Sequence, residues 1–195
     1  MNIQLGWIPV ERTVSLDGDV EATDAITIDV RLLPILDPAT LGELLREELA
    51  AAGWTRREDG ALDRTFGRAT ATLPPGDATI TLAIEAGTQV NVQATESGAA
   101  PEDDVAAQDA IGTRAQRTAE RKLAAASRAA RGVLERKNAA ELLEVEPALR
   151  KDVDDAIRAA TKRALERRAA SLGDVESVAE RTTEDGYELT IAVRT

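Results

Sequence analysis

Apolar and polar residues alternate through Ile26, Ile28, Val30 and Leu32, with Thr27, Asp29 and Arg31 between them. A period of two puts each set on its own side of an extended chain, so residues 3–34 read as strands with one dry face. Asp17-Gly18 predicts a hairpin turn inside this stretch, because glycine accepts positive φ without a Cβ clash. The period then changes. Leu41, Leu44, Leu45 and Leu49 recur at helical spacing, which predicts a helix over 38–52. Asp37 can accept from its first free N–H groups, and Pro38 sits where a missing N–H costs nothing. Gly53 is placed to end it in the left-handed conformation.

Residues 54–95 return to alternation: a hairpin from Trp54 to Phe66 about Asp59-Gly60, then a strand over 68–73 stopped by Pro74-Pro75-Gly76-Asp77. Ile80, Leu82 and Ile84 alternate next, and Gly87 is expected to turn the chain into Val90 and Val92. This is the pattern of an antiparallel meander, dry on one side and wet on the other. Residues 96–103 read as a linker, with Asp103 or Asp104 able to cap the following helix.

From 104 the pattern is helical. Ile111, Ala115, Ala119, Leu123, Ala126, Ala130 and Val133/Leu134 form one seam. After Pro147 a second seam runs through Leu149, Val153, Ala156/Ile157, Ala160 and Ala164, and Leu172-Gly173 closes it. Two seamed helices joined at a proline predict an antiparallel helical hairpin. Leu123, Ala126, Ala130, Leu149, Val153 and Ile157 would hold it together. The chain ends in strands over 175–181 and 187–193 about Glu184-Asp185-Gly186, with Tyr187, Leu189, Ile191 and Val193 alternating.

The expected fold class is therefore α+β: an antiparallel sheet with one short packing helix and a protruding antiparallel helical hairpin. Residues 1–95 form the β body, 104–172 the arm, and 173–195 a hairpin that rejoins the body. Helix, glycine and hairpin about Asp-Gly occur twice in that order, at 38–66 and 148–194.

Charge sharpens the picture. Residues 110–172 hold fifteen Lys/Arg and nine Asp/Glu, a balance of +6, whereas the remainder holds nine and twenty-six, or −17. A basic arm is set in an acidic body, so each part carries its own field toward partners. Aromatic residues are scarce, and Trp7, Trp54, Phe66 and Tyr187 are expected to be core anchors.

The chain has no Cys and no His, which removes disulfides, thiol nucleophiles, zinc–thiolate sites and the usual base of a nucleophilic triad. No phosphate-binding glycine loop and no Gly-x-Ser-x-Gly appears. Asp17-Gly18-Asp19-Val20-Glu21 has the acidity of a calcium loop without its ligand spacing. No catalytic, metal or cofactor residues are assigned, and an enzyme is not expected. The first residues lack the basic and apolar regions of a signal peptide, and no apolar run is long enough to span a bilayer. A cytoplasmic protein is expected.

The strongest constellation is a stripe. At 100° per residue Arg114, Arg117, Arg121, Arg128 and Arg131 fall on one face, nearly opposite the small apolar seam. None has a Glu four residues upstream, whereas Glu146–Arg150 and Asp154–Arg158 are well-oriented helix pairs. The stripe is expected to dock on a protein partner or on a second copy of the chain. Nucleic acid is the alternative, against which stand the net charge of −11 and the lack of aromatics in the arm. A small-molecule site in the β body would require a concave pocket.

The succession of strands, a helix ending at Gly53-Trp54, a hairpin, the Ala/Arg arm, then Leu172-Gly173-Asp174-Val175 and Glu184-Asp185-Gly186-Tyr187-Glu188-Leu189 resembles one group of proteins. These are the small accessory proteins of bacterial ternary systems that include FtsH-like AAA+ and von Willebrand-A proteins. The resemblance implies a non-catalytic subunit working with an AAA+ ATPase.

Overall fold

Two 23-residue strands and one 66-residue helix dominate the computed structural model, which describes residues 6–183 and 186–194. The elements are β1 (Trp7–Asp29), α1 (Pro38–Ala51), β2 (Thr55–Arg56), β3 (Leu62–Phe66), β4 (Ala69–Leu73), β5 (Thr79–Pro101), α2 (Val105–Ala170), β6 (Asp174–Thr183) and β7 (Gly186–Arg194). They make an α+β fold with a five-stranded antiparallel sheet, order β1-β5-β4-β3-β2, and a separate two-stranded sheet, β6-β7. The turn expected about Glu184-Asp185-Gly186 and the core position expected for Tyr187 lie outside the described residues, as do residues 1–5.

The chain divides into two compact units, Met1–Asp24 with Glu85–Ala139 and Ala25–Ile84 with Ala140–Thr195. In the first, β1 and β5 form a ribbon. Thr13 bonds Thr95 at 2.9 Å, Asn91 donates to Asp17, and Gly87 lies against Glu21. Each pair of residue numbers adds up to 108, so the two strands run antiparallel in one unbroken register.

The turns expected at Asp17-Gly18 and Gly87 are therefore absent, and the linker expected over 96–103 is strand up to Pro101. Among the described residues only Gly53, Gly60, Gly67 and Gly76 have positive φ. Gly18 and Gly98 serve a different purpose. A Cβ on Gly18 would stand 3.3 Å from Leu123, and one on Gly98 3.0 Å from Ile111. The missing side chains let α2 lie close on the ribbon, whose Val10, Val20, Ala22, Ala94 and Ala100 are buried on the same side.

The helical hairpin is also corrected: α2 is one helix that continues through Pro147. Proline at 147 leaves the carbonyl of Leu143 without its helical N–H, but both residues are exposed and water can replace the lost bond. No glycine stands between Val133 and Gly173 to support a reversal beside the proline. The seams consequently pack on strands rather than on each other. Ile111, Ala115 and Ala119 are buried, Leu123, Ala126, Ala130 and Leu134 half-buried, and Val133 exposed. Asp104 starts the helix by accepting from the N–H of Ala107 at 2.9 Å.

In the second unit, Leu62, Leu73, Ile80, Leu82 and Ile84 of the sheet meet Leu44 and Leu49 of α1 and Leu149 and Val153 of α2 in one core. The ends of α1 are as the sequence predicts. Asp37 accepts from the Thr40 N–H at 2.9 Å, proline opens the helix, and Gly53 has φ 95°. Trp54 is buried, whereas Trp7 is 69% exposed at an outward position of β1 and is no core anchor. Gly173 does not close α2 by positive φ. A Cβ there would collide with the carbonyl oxygen of Arg194 on β7.

Candidate docking surface

Residues 105–139 of α2 present one side to the ribbon and the other to solvent. The ribbon side is fixed by several contacts. The Thr118 hydroxyl donates to Glu96 at 3.0 Å, Lys122 Nζ donates to the Gln93 carbonyl at 3.1 Å, and Asn138 Nδ2 donates to the Ala22 carbonyl at 3.2 Å. Opposite them Arg114, Arg117, Arg121, Arg128 and Arg131 are all exposed. The structure thus brings together on one face the five arginines that helical periodicity groups. Arg114 sits at its margin, with its guanidinium turned toward Gly98 of β5.

None of the five has a carboxylate within ion-pair distance among the described residues. Arg128 donates only to the Ala124 carbonyl, at 3.2 Å. Glu120, the acid nearest in sequence, accepts from Gln116 at 2.9 Å instead.

The cations of residues 140–170 behave differently. Arg150 pairs with Glu146 at 2.6 Å. Arg158 pairs with Asp155 at 2.6 Å, not with the carboxylate of Asp154 as the helix spacing suggests, and takes only the Asp154 carbonyl at 3.3 Å. Lys151 also reaches Asp155, at 2.9 Å, and its hydrogen bond, followed by the Lys151 and Arg158 charges, holds that carboxyl below its usual range. Arg163 spans to Glu48 at 2.8 Å and Glu47 at 2.7 Å, both on α1. These two acceptors raise its pKa above the usual arginine value. Arg64 reaches Asp152 at 2.8 Å, and Arg68 is held by both oxygens of Glu141. Through Arg163 this length of helix is internally neutralised, while Arg167 and Arg168 at its end are exposed without an ion pair among the described residues; the arginines of residues 114–131 all face outward.

A second feature went unseen in the sequence. The second unit contains a cavity of about 570 Å³ with Leu32, Leu36, Leu41, Leu45 and Leu73 in its walls. Arg46, buried at 6% exposure, also lines it. Its guanidinium donates to the Gly60 carbonyl at 3.2 Å and to the Pro74 carbonyl. The helical spacing of Leu41 and Leu45 marks an apolar face, but only the fold brings the 30–38 segment and the 74–78 turn across from it. Among the described residues no group of three or more acidic side chains is placed to hold a metal ion, and no helix is long and apolar enough to cross a membrane.

This arrangement, a long half-neutralised helix on an extended ribbon, meets one family model, that of FtsH ternary system domain X5, which matches residues 8–195. The chain belongs to that family. Membership makes it an accessory domain of an FtsH-associated system, and such a system implies protein partners. No curated protein and no solved structure matches the chain.

Proposed function

We propose that this X5 domain is a non-enzymatic adaptor that docks on an acidic surface of a protein partner, an AAA+ ATPase of its system, through the outward arginines of α2. The observation that carries this reading is the contrast along one helix. Arg117, Arg121 and Arg131 have no acceptor among the described residues and Arg128 has only a backbone carbonyl, while Arg150, Arg158 and Arg163 are paired. Exposed arginines carry a fork of donors suited to bidentate contact with carboxylates.

The test is capture from the native host with the tagged chain, with and without nuclease, and mass spectrometry of what is retained. An AAA+ ATPase that survives nuclease and is lost with Arg117→Glu, Arg121→Glu and Arg128→Glu together supports the reading. Undiminished capture by that folded variant overturns it. Nucleic acid as the partner would instead give a mobility shift at low salt that weakens steeply as salt rises.

The cavity favours a second reading, a small-molecule site in the second unit. Its volume lies in the range of ligand pockets, and a buried cation stands among apolar walls. Thermal shifts with aliphatic carboxylates, lost in Arg46→Met, would support it.

A further inference from the structure

The ribbon of the first unit has an outward face of its own. In β1 and β5 the even-numbered residues turn to α2 and the odd-numbered ones to solvent, as the alternation of burial records. The outward positions of β1 include Glu11, Asp17, Asp19 and Glu21, and those of β5 include Glu85. The others from 7 to 23 and from 85 to 99 are neutral, and not one is Lys or Arg. The first unit thus carries five exposed acids on one face and five exposed arginines on the other.

The two strips overlap along the same level of the ribbon and are comparable in length. Arg114 to Arg131 spans about 26 Å at the helical rise, and Glu11 to Glu21 about 33 Å at the strand rise. Gly18, which lies against Leu123 of α2, is flanked on its strand by the outward carboxylates of Asp17 and Asp19. Two residues before Leu123, Arg121 points away on the solvent side. Opposite charges therefore stand back to back across the same cross-section.

We propose that the first unit stacks head to tail on a second copy of this chain, the arginine strip of one molecule lying on the acidic ribbon face of the next. This rests on reading the arginine strip as a docking surface, and it names an occupant for it. Charge complementarity selects the copy: each molecule carries both halves of the contact, comparable in length and overlapping in level. The contact joins two different faces, so it is heterologous, and because those faces stand back to back each molecule keeps one free to add a further copy. A strip about 30 Å long and about 11 Å wide covers roughly 330 Å², well under the ~800 Å² per partner of a stable complex. The association is accordingly weak and concentration-dependent. Near 0.1 M salt, charges more than about 10 Å apart are already screened while the touching strips are not, so raising the salt weakens the contact.

The experiment is sedimentation velocity on the whole chain from about 10 to 500 µM, in roughly 0.1 M and 0.5 M salt. Two neutralising variants accompany it: Arg117→Gln/Arg121→Gln/Arg128→Gln, and Asp17→Asn/Asp19→Asn/Glu21→Gln, each checked for native thermal unfolding. Wild type should grow beyond the 20.8 kDa monomer with concentration at the lower salt and revert at the higher. Each variant alone should stay monomeric. The two mixed should give a one-to-one complex and nothing larger, since only one intact face remains on each. A wild type that is monomeric throughout overturns the proposal, as does self-association by either variant or failure of the mixture to pair. Wild type that stays monomeric while the arginine variant still loses its AAA+ partner removes the stacking and leaves the adaptor reading in place.

Discussion

Gly18 of β1 and Leu123 of α2 touch so closely that a Cβ on the glycine would stand 3.3 Å from Leu123 Cδ1. The contact sets how near the helix can lie to the ribbon, and it is made by leaving an atom out. Gly18→Val would drive two methyl groups into the leucine, and overpacking of this kind costs about 1–3 kcal/mol. Urea denaturation should show that loss, with Gly18→Ala losing less. A hairpin turn at Asp17-Gly18 would tolerate neither the strand geometry nor this pattern, so equal loss in both variants would argue for a conformational role instead.

Arg46 latches two turns onto α1 by donating to the carbonyls of Gly60 and Pro74. Arg46→Met keeps much of the buried stem but strands both carbonyl oxygens, at a cost of about 1–3 kcal/mol. Arg46→Lys should recover part of it, because one ammonium cannot reproduce the planar fork. Equilibrium unfolding of the three chains checks the order, wild type above lysine above methionine.

How much of this was readable depended on distance along the chain. Asp37, Pro38, the four leucines and Gly53 mark α1 because capping, periodicity and termination are all local. The arginine face of α2 was readable for the same reason. Gly18 and Gly87 carry the local signature of turns, and Gly98 that of a linker, because their role lies in what packs opposite, on β1, β5 or α2. The acidic ribbon face needs the register of β1 on β5, in which Thr13 meets Thr95 from 82 positions away. The cavity beside Arg46 likewise depends on segments that the sequence keeps apart.

The N-cap of α1 gives the chain a pH signature. The Asp37 carboxylate accepts from the Thr40 hydroxyl at 2.6 Å and from its N–H at 2.9 Å. Those bonds, the hydroxyl's first, lower its pKa below the ordinary value. A carboxyl depressed on folding contributes stability that is full above the unfolded value of about 3.9 and is lost as pH falls through the folded one. Asp37→Asn keeps a capping oxygen but cannot titrate. Its urea midpoint should stay near that of wild type at pH 7 and fall less steeply below about pH 4. Parallel acid limbs for the two proteins would show that Asp37 is not among the groups that set the slope.

Pro147 decides between one helix and two. In a continuous α2 the proline withholds an N–H from Leu143 and sits at a position that alanine would favour, interior proline costing about 3 kcal/mol relative to alanine. Its exposure lets water satisfy the freed carbonyl and recovers part of that penalty. Proline also restricts the unfolded chain, which offsets a further part. Pro147→Ala should therefore stabilise the protein by about 1–2 kcal/mol and raise its helical circular dichroism slightly. In an antiparallel hairpin the same proline would start the second helix, where its fixed φ is an advantage, and alanine would leave stability unchanged or lower. A rise in the unfolding midpoint belongs to the single helix; a fall would restore the break.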